Sequence, residues 1–201
     1  LGEKSIYHAA YVAFSALVGW LGDVAMTAHQ ALIAIESIGF IAAGGFGVAS
    51  SAIVAQRLGA GAPDEATRAG WYATGLSVGA LSLVSVLLWV FPEALVGVFS
   101  DDPEIIATGA QCLRVAAVAQ PLMALTDAMA GALRGAGDTK NPMRAAIAGP
   151  LIVRLFLCWL LAFHLELGLL GIWIGTTCDW LVRGVYLTAV FARGRWREIT
   201  V

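Results

Sequence analysis

Six long apolar stretches, separated by short polar connections, dominate the pattern of this 201-residue chain. They cover residues 5–21, 26–55, 69–91, 105–133, 142–163 and 167–191. A helix needs about 20 residues to cross the hydrocarbon core of a bilayer, and all but the first stretch reach that length. None has the polar face that a soluble amphipathic helix shows. The pattern therefore predicts an all-α integral membrane protein, a bundle of six transmembrane helices in a single domain, 1–201.

Cations and acids alternate between the connections. The connections after the first, third and fifth stretches contain acids but no lysine or arginine. The other connections and the two ends of the chain hold Lys4, Arg57, Arg68, Arg134, Lys140, Arg144, Arg193, Arg195 and Arg197. Cation bias in short loops orients membrane helices, so we predict an inner (plasma) membrane location with both termini cytoplasmic. The tail, residues 193–197, is expected to anchor against anionic lipid headgroups.

Composition and the absence of known motifs argue against several classes of function. The chain is 59% hydrophobic with a mean hydropathy of +0.80, and no run of basic residues suggests nucleic acid binding. Its three cysteines fall inside apolar stretches without a CxxC pair, which favours small buried side chains over metal ligands or disulfides. No metalloprotease, nucleophile-elbow or phosphate-loop motif occurs, so the sequence predicts neither an enzyme nor a cofactor or metal.

Six ionisable residues fall well inside the stretches: Glu36, Arg114, Asp127, Arg154, Asp179 and Arg183. A charge at the bilayer centre costs at least ~2.5 kcal/mol, so all six are expected to face protein or water. Asp179 and Arg183 are four residues apart on one helix face, which predicts a structural ion pair. Arg154 needs an acid from a neighbouring helix.

Glu36 and Asp127 have no opposite charge at helical spacing within their own stretches. A carboxyl group held in the membrane without a fixed partner can take up and release a proton, which is what ion coupling requires. The alternative interpretation is that Glu36 and Asp127 face water inside the bundle and have only a structural role. The histidines His8 and His29 lie near the ends of their stretches, where polar anchoring is the expected role.

Local signals predict helix ends and close helix contacts. Asp102-Pro103 and Asn141-Pro142 each combine an N-cap residue with a proline in the first turn. Three GxxxG spacings, which permit close approach of membrane helices, occur at Gly75/Gly79, Gly131/Gly135 and Gly171/Gly175. We interpret them mainly as packing within the bundle.

Residues 132–143, A-L-R-G-A-G-D-T-K-N-P-M, closely resemble the cytoplasmic signature after the tenth helix of the multidrug and toxic compound extrusion (MATE) transporters. The matching positions are Arg134, Gly135, Gly137, Asp138 and Thr139. Residues 28–30 with Glu36-Ser37 are similar to the family's eighth helix, and residues 55–61 to the turn that follows it.

The resemblance implies half of a twelve-helix, two-lobe transporter, the C-terminal lobe with helices 7–12. It implies efflux of small cationic or amphipathic substrates by alternating access, driven by H+ or Na+. The partner would be the missing N-terminal lobe, in the same or a separate chain. Glu3 matches a glutamate of helix seven and joins Glu36 and Asp127 as a coupling-ion residue. The family's helix-ten aspartate would fall at Met123, one turn before Asp127.

Two alternatives stay open. A related fold flips lipid-linked sugars, and Arg114 and Arg154 would then bind a pyrophosphate in the cavity. The chain could otherwise be a non-transporting or degenerate half-transporter subunit of the membrane.

Overall fold

The computed structural model describes residues 12–198, and within that range every regular element is helical. The first helical segment, α1, covers 12–19. It is followed by α2 (Asp23–Gly59), α3 (Pro63–Val90), the short α4 (Pro92–Gly97), α5 (Pro103–Gly135), α6 (Lys140–His164) and α7 (Gly168–Ala192). A single 3₁₀ turn, Arg195–Glu198, ends the described chain. The predicted all-helical class is confirmed, while Glu3, Lys4 and the start of the first stretch lie outside the described residues.

Four of the described helices, α2, α3, α5 and α6, are long and apolar enough to cross a membrane. They contain the second to fifth predicted stretches. The sixth stretch forms α7, whose 25 residues match the bilayer thickness although it holds Asp179 and Arg183 in its interior. Large apolar side chains stay uncovered on the outer helix faces, among them Ile41, Val48 and Leu83, each at least 73% exposed. Such a shell is unfavourable in water and suits lipid.

The centre of the bundle is α5, which packs against α2, α3 and α7. Of its most apolar 18-residue segment 67% is buried, against 22–28% for the other three helices of spanning length. Small residues explain this position, because alanines such as Ala116, Ala124 and Ala128 are fully buried and let neighbouring helices approach.

Glycines bring α2 and α5 into backbone contact. A Cβ atom at Gly131 would strike the carbonyl oxygen of Gly47, and one at Gly135 would strike that of Ser51. The GxxxG pair Gly131/Gly135 is therefore an intramolecular seam, and Gly171/Gly175 packs in the same way on α6. Gly75 and Gly79 differ, since both face open space and form no such seam.

Helix ends follow the predicted chemistry at α5 but not at α6. The Asp102 side chain accepts a hydrogen bond from the Glu104 amide at 2.9 Å, as expected for an N-cap. The prediction that Asn141 caps α6 is wrong, because α6 begins at Lys140 and the Asp138 side chain accepts from the Asn141 amide at 3.1 Å. Gly137, with φ of 84°, ends the preceding helix α5 in the left-handed conformation that glycine favours, directly before Asp138.

The tail folds onto the protein instead of extending towards headgroups. Trp196 is only 2% exposed, stacks on Phe191 with ring centroids 4.9 Å apart and donates its indole N–H to the Phe191 carbonyl. Arg197 pairs with Asp64 at 3.2 Å, at the start of α3. The expected headgroup anchor is therefore wrong for these two residues. We call this end of the molecule, where Arg57, Arg134, Lys140 and Arg193 lie, the basic end.

Candidate functional site

A cavity of about 380 Å³ opens between α1, α2, α5, α6 and α7. Its walls combine four aromatic rings, a histidine and four charged side chains. The residues that line it are Phe14, His29, Ile33, Glu36, Ser37, Phe40, Asp127, Pro150, Arg154, Trp173, Thr176, Trp180 and Arg183. Such a mixture of apolar walls and few polar groups is typical of a small-molecule site.

The structure brings Glu36 of α2 and Asp127 of α5 into this one cavity. Among the described residues neither carboxylate takes part in an ion pair, and the Glu36 Oε1 atom is buried without a hydrogen-bond partner. Arg154 and Arg183 line the same cavity, and opposite charges at such short range attract. Each acid therefore has an attracting cation nearby that is bonded to a different group.

Arg154 and Arg183 are both bonded to Asp179, which is fully buried. The Arg154 Nε and Nη2 atoms lie 3.0 and 2.8 Å from its Oδ2 atom. The Arg183 Nε atom donates to Oδ1 at 3.0 Å and its Nη2 atom to Oδ2 at 2.8 Å. Arg154 thus has the acid on a neighbouring helix that the sequence required. Three carboxylates face two guanidinium groups, which leaves one negative charge over when all are ionised.

The backbone of α6 is shaped around this cluster. A Cβ atom at Gly149 would strike both the Asp179 carboxylate and the Arg183 side chain, so only glycine fits there. Gly149 begins a π-helical segment, Gly149–Arg154, that also contains Pro150. Because a π turn holds one more residue than an α turn, this segment changes which face of α6 points inward, and Arg154 enters the cavity.

Aromatic rings cover the charged groups. The Arg183 guanidinium lies 3.9 Å above the Trp180 ring, and that of Arg154 lies 5.7 Å from the same ring. At the other side His29 sits between Phe14 and Trp173, with 5.6 Å between ring centroids in both pairs.

The sequence did not indicate the aromatic part of the site. It also predicted that His29 anchors a helix end in a polar environment, but His29 is buried, with 4% of its surface exposed. A signal was present: residues 29, 33, 36 and 40 recur at helical spacing on α2, as do 173, 176, 180 and 183 on α7. Extending each charged position along its own helix face would have found both sets.

Other predicted residues lie elsewhere. Arg114 does not line the cavity, because it donates to Glu93 of α4 at 2.7 Å. The backbone amide of Glu93 and the Arg114 guanidinium hold the pKa of this exposed carboxyl below its ordinary value. The signature residues 134–139 form the turn at the basic end and do not line the cavity, and Glu3 lies outside the described residues.

Comparison with known proteins identifies the family to which the chain belongs. The model of the MatE family matches residues 3–160. The chain belongs to the MatE family. Its members are transporters, so the prediction that the chain is not an enzyme is confirmed, as is the resemblance to MATE transporters.

Named relatives of this MatE chain are multidrug resistance proteins. It is 35% identical over 98% of its length to the probable multidrug resistance protein NorM of Brucella suis biovar 1 (strain 1330), covering 41% of that protein. It is 38% identical over 82% of its length to the multidrug resistance protein NorM of Burkholderia vietnamiensis, covering 37% of it.

Solved structures share the MatE fold at low sequence identity. An outward-facing multidrug resistance MATE family transporter matches 99% of the chain with a TM-score of 0.88 and 21% identity. A MOP superfamily transporter from Pyrococcus furiosus matches 96% with a TM-score of 0.87. The chain covers 44% and 43% of these two proteins, and about two-fifths of the curated relatives named above. It is thus a multi-pass membrane protein that corresponds to less than half of a MATE transporter.

Proposed function

We propose that this chain is the C-terminal lobe of a cation-coupled multidrug efflux antiporter that works by alternating access. The observation that carries the proposal is the cavity, in which two carboxylates without ion-pair partners among the described residues lie beside aromatic walls. Aromatic faces and excess negative charge suit small cationic or amphipathic substrates. The NorM relatives, which are named as multidrug resistance proteins, support the same class of transport.

Glu36 and Asp127 are the proposed coupling groups, with Glu3 as a third. Each would bind the coupling ion, H+ or Na+, when the cavity faces one side of the membrane and release it on the other. Arg154 and Arg183 attract these carboxylates but stay bonded to Asp179, so they hold the acids near the cavity without neutralising them permanently. Loss of the coupling ion would leave a negative charge free to attract the cationic substrate.

The proposed partner is an N-terminal lobe, in the same or a separate chain, because the relatives are more than twice as long as this chain. We further propose an inner-membrane location with the basic end and both termini in the cytoplasm, as the loop charges indicate. Tags fused at the Asp101–Asp102 turn and at the C-terminus should then report opposite compartments. Tags found in the same compartment would contradict this membrane topology.

The flippase alternative loses its main support. It required Arg114 and Arg154 to bind a pyrophosphate, but Arg114 pairs with Glu93 and Arg154 with Asp179.

The test uses the full polypeptide that contains this sequence, reconstituted in liposomes, with efflux of a dye cation such as ethidium driven by an imposed pH or Na+ gradient. Glu36→Gln and Asp127→Asn keep the side-chain shapes but remove the charges, and each should reduce coupled efflux at least about tenfold. Glu65→Gln is the matched control, because Glu65 is exposed and lies outside the cavity. Unchanged rates and pH dependence in both cavity variants would refute the assignment, and a wild type without flux would favour a non-transporting subunit.

A further inference from the structure

Two further adjoining cavities lie between α6 and α7 towards the basic end, and the one nearer the site described above shares Arg183 with it. The first, of about 510 Å³, is lined by Lys140, Arg144, Arg193 and Arg195, and we call it the cation cavity. The second, of about 320 Å³, runs along the two helices, and we call it the apolar groove. Arg144 and Tyr186 line both, so the two spaces adjoin.

The charge of the cation cavity is not balanced within the described part of the chain. None of its four cations forms an ion pair with a described residue. The acid that lines it, Asp138, is 8% exposed and accepts hydrogen bonds from the backbone amide and the side-chain amide of Asn141. Tyr186 in turn donates to the Asn141 oxygen at 2.7 Å. A strong local excess of positive charge therefore remains, and it attracts an anion.

The apolar groove has the opposite chemistry. Ala145, Ala148, Gly149 and Val153 of α6 face Val182 of α7 across it. Arg183 also lines the groove, but its charge is paired with Asp179. From Ala145 to Val153 the groove spans about 12 Å of helix, because each residue rises about 1.5 Å. The small side chains of α6 leave open a slot that starts beside the cations and runs towards the middle of the bundle. A free phosphate ion would leave this slot unused.

We propose that the cation cavity and the apolar groove together bind one anionic phospholipid. Its phosphate lies among the four cations, and one acyl chain lies along the small residues of α6. Basic pockets between membrane helices are well suited to anionic headgroups, and each nearby cation strengthens the attraction. The neighbouring apolar slot selects a lipid over other anions, since it gains by burying a hydrocarbon chain.

Native mass spectrometry of the full polypeptide in detergent tests the headgroup part. Phosphatidylglycerol should stay bound at least about tenfold more tightly than phosphatidylethanolamine with the same acyl chains. The double variant Arg144→Gln/Arg193→Gln should weaken phosphatidylglycerol binding about 30-fold, since each cation near the surface contributes about fivefold. Arg68→Gln removes an exposed cation that lines neither cavity and should leave binding unchanged. Equal binding of the two lipids, or an equal loss in Arg68→Gln, would overturn the proposal.

A second variant separates a lipid from a free anion. Ala148 is exposed on the groove, so Ala148→Phe fills the slot without removing any of the four cations. Because all four cations are kept, it should weaken binding of long-chain phosphatidylglycerol about tenfold while glycerol phosphate still binds as in the wild type. If Ala148→Phe binds the lipid with full affinity, or millimolar inorganic phosphate displaces the lipid, the site is one for a free anion and the proposal fails.

Discussion

Replacement of Asp179 by asparagine tests the buried charge cluster most directly. The wild-type carboxylate is fully buried and accepts from both arginines at 2.8–3.0 Å. The amide keeps one acceptor oxygen and turns an N–H₂ group towards a guanidinium donor. Arg154 and Arg183, with side chains 19% and 11% exposed, would lose the anion that compensates their burial.

The expected cost follows from that burial. Removing one partner of a buried ion pair destabilises a protein by about 3–5 kcal/mol, because the other charge stays desolvated. Since two cations depend on Asp179, we expect the free energy of unfolding to fall by an amount near the upper end of this range. The matched control is Glu65→Gln, which breaks an ion pair of similar length, 2.9 Å, with both side chains more than half exposed. Exposed pairs contribute about 0–1 kcal/mol.

Steric trapping of the full polypeptide in bicelles gives the free energy of unfolding for both variants. The variant Asp179→Asn/Arg154→Gln should recover part of the loss, because it removes one of the two cations that have lost their hydrogen-bonded anion. A destabilisation by Asp179→Asn within about 1 kcal/mol of that of Glu65→Gln would refute the reasoning that burial makes this cluster strong.

Three further changes probe the seam, the signature and the acidic loop. Gly131→Ala should lower the free energy of unfolding by about 1–3 kcal/mol, because its methyl group strikes the α2 backbone. The control Gly79→Ala lies in open space and should not destabilise the protein. Steric trapping measures both variants, and equal free energies of unfolding would contradict a close α2–α5 contact at Gly131. Asp138→Ala should cost about 1–2 kcal/mol through loss of the two hydrogen bonds that Asp138 accepts from Asn141 in the first turn of α6, and an unchanged melting temperature would argue against their importance. Because the pKa of Glu93 is lowered in the folded protein, its ion pair with Arg114 stabilises the fold at pH values above the ordinary carboxyl pKa. This stabilisation is lost as the pH falls through the lowered pKa. The melting-temperature difference between wild type and Glu93→Gln should therefore be present at neutral pH and vanish in strong acid, and a constant difference would exclude this linkage.

The helices of this protein could be predicted because hydrophobic length is a strong one-dimensional signal. Pairing between helices could not be, because it depends on how each helix is rotated about its axis. Arg154 and Asp179 are 25 residues apart, and the rotation that joins them depends on a π-helical segment that no periodicity analysis would include.

Two local misreadings have physical causes as well. The apolar stretch that starts at residue 26 predicts an end position for His29, whereas α2 begins at Asp23 and places His29 nearly two turns inside. The proline after Asn141 predicts a cap, but the helix already begins at Lys140, so the Asn141 amide is itself in the first turn and donates to Asp138. The cavity acids Glu36 and Asp127 were found because unpaired charge in an apolar stretch stands out without any three-dimensional information.

The two π-helical segments of α6, Gly149–Arg154 and Leu160–His164, bear on how this sequence can be aligned and engineered. Each wide turn accommodates one residue more than regular winding would, so a single deletion there could be absorbed by tightening the coil. The same deletion in α5, which is α-helical throughout, would rotate everything beyond it by about 100° and scramble its packing. Homologues should therefore carry single-residue gaps at the second wide turn, Leu160–His164, and not at Gly149–Arg154, where tightening the coil would turn Arg154 away from Asp179.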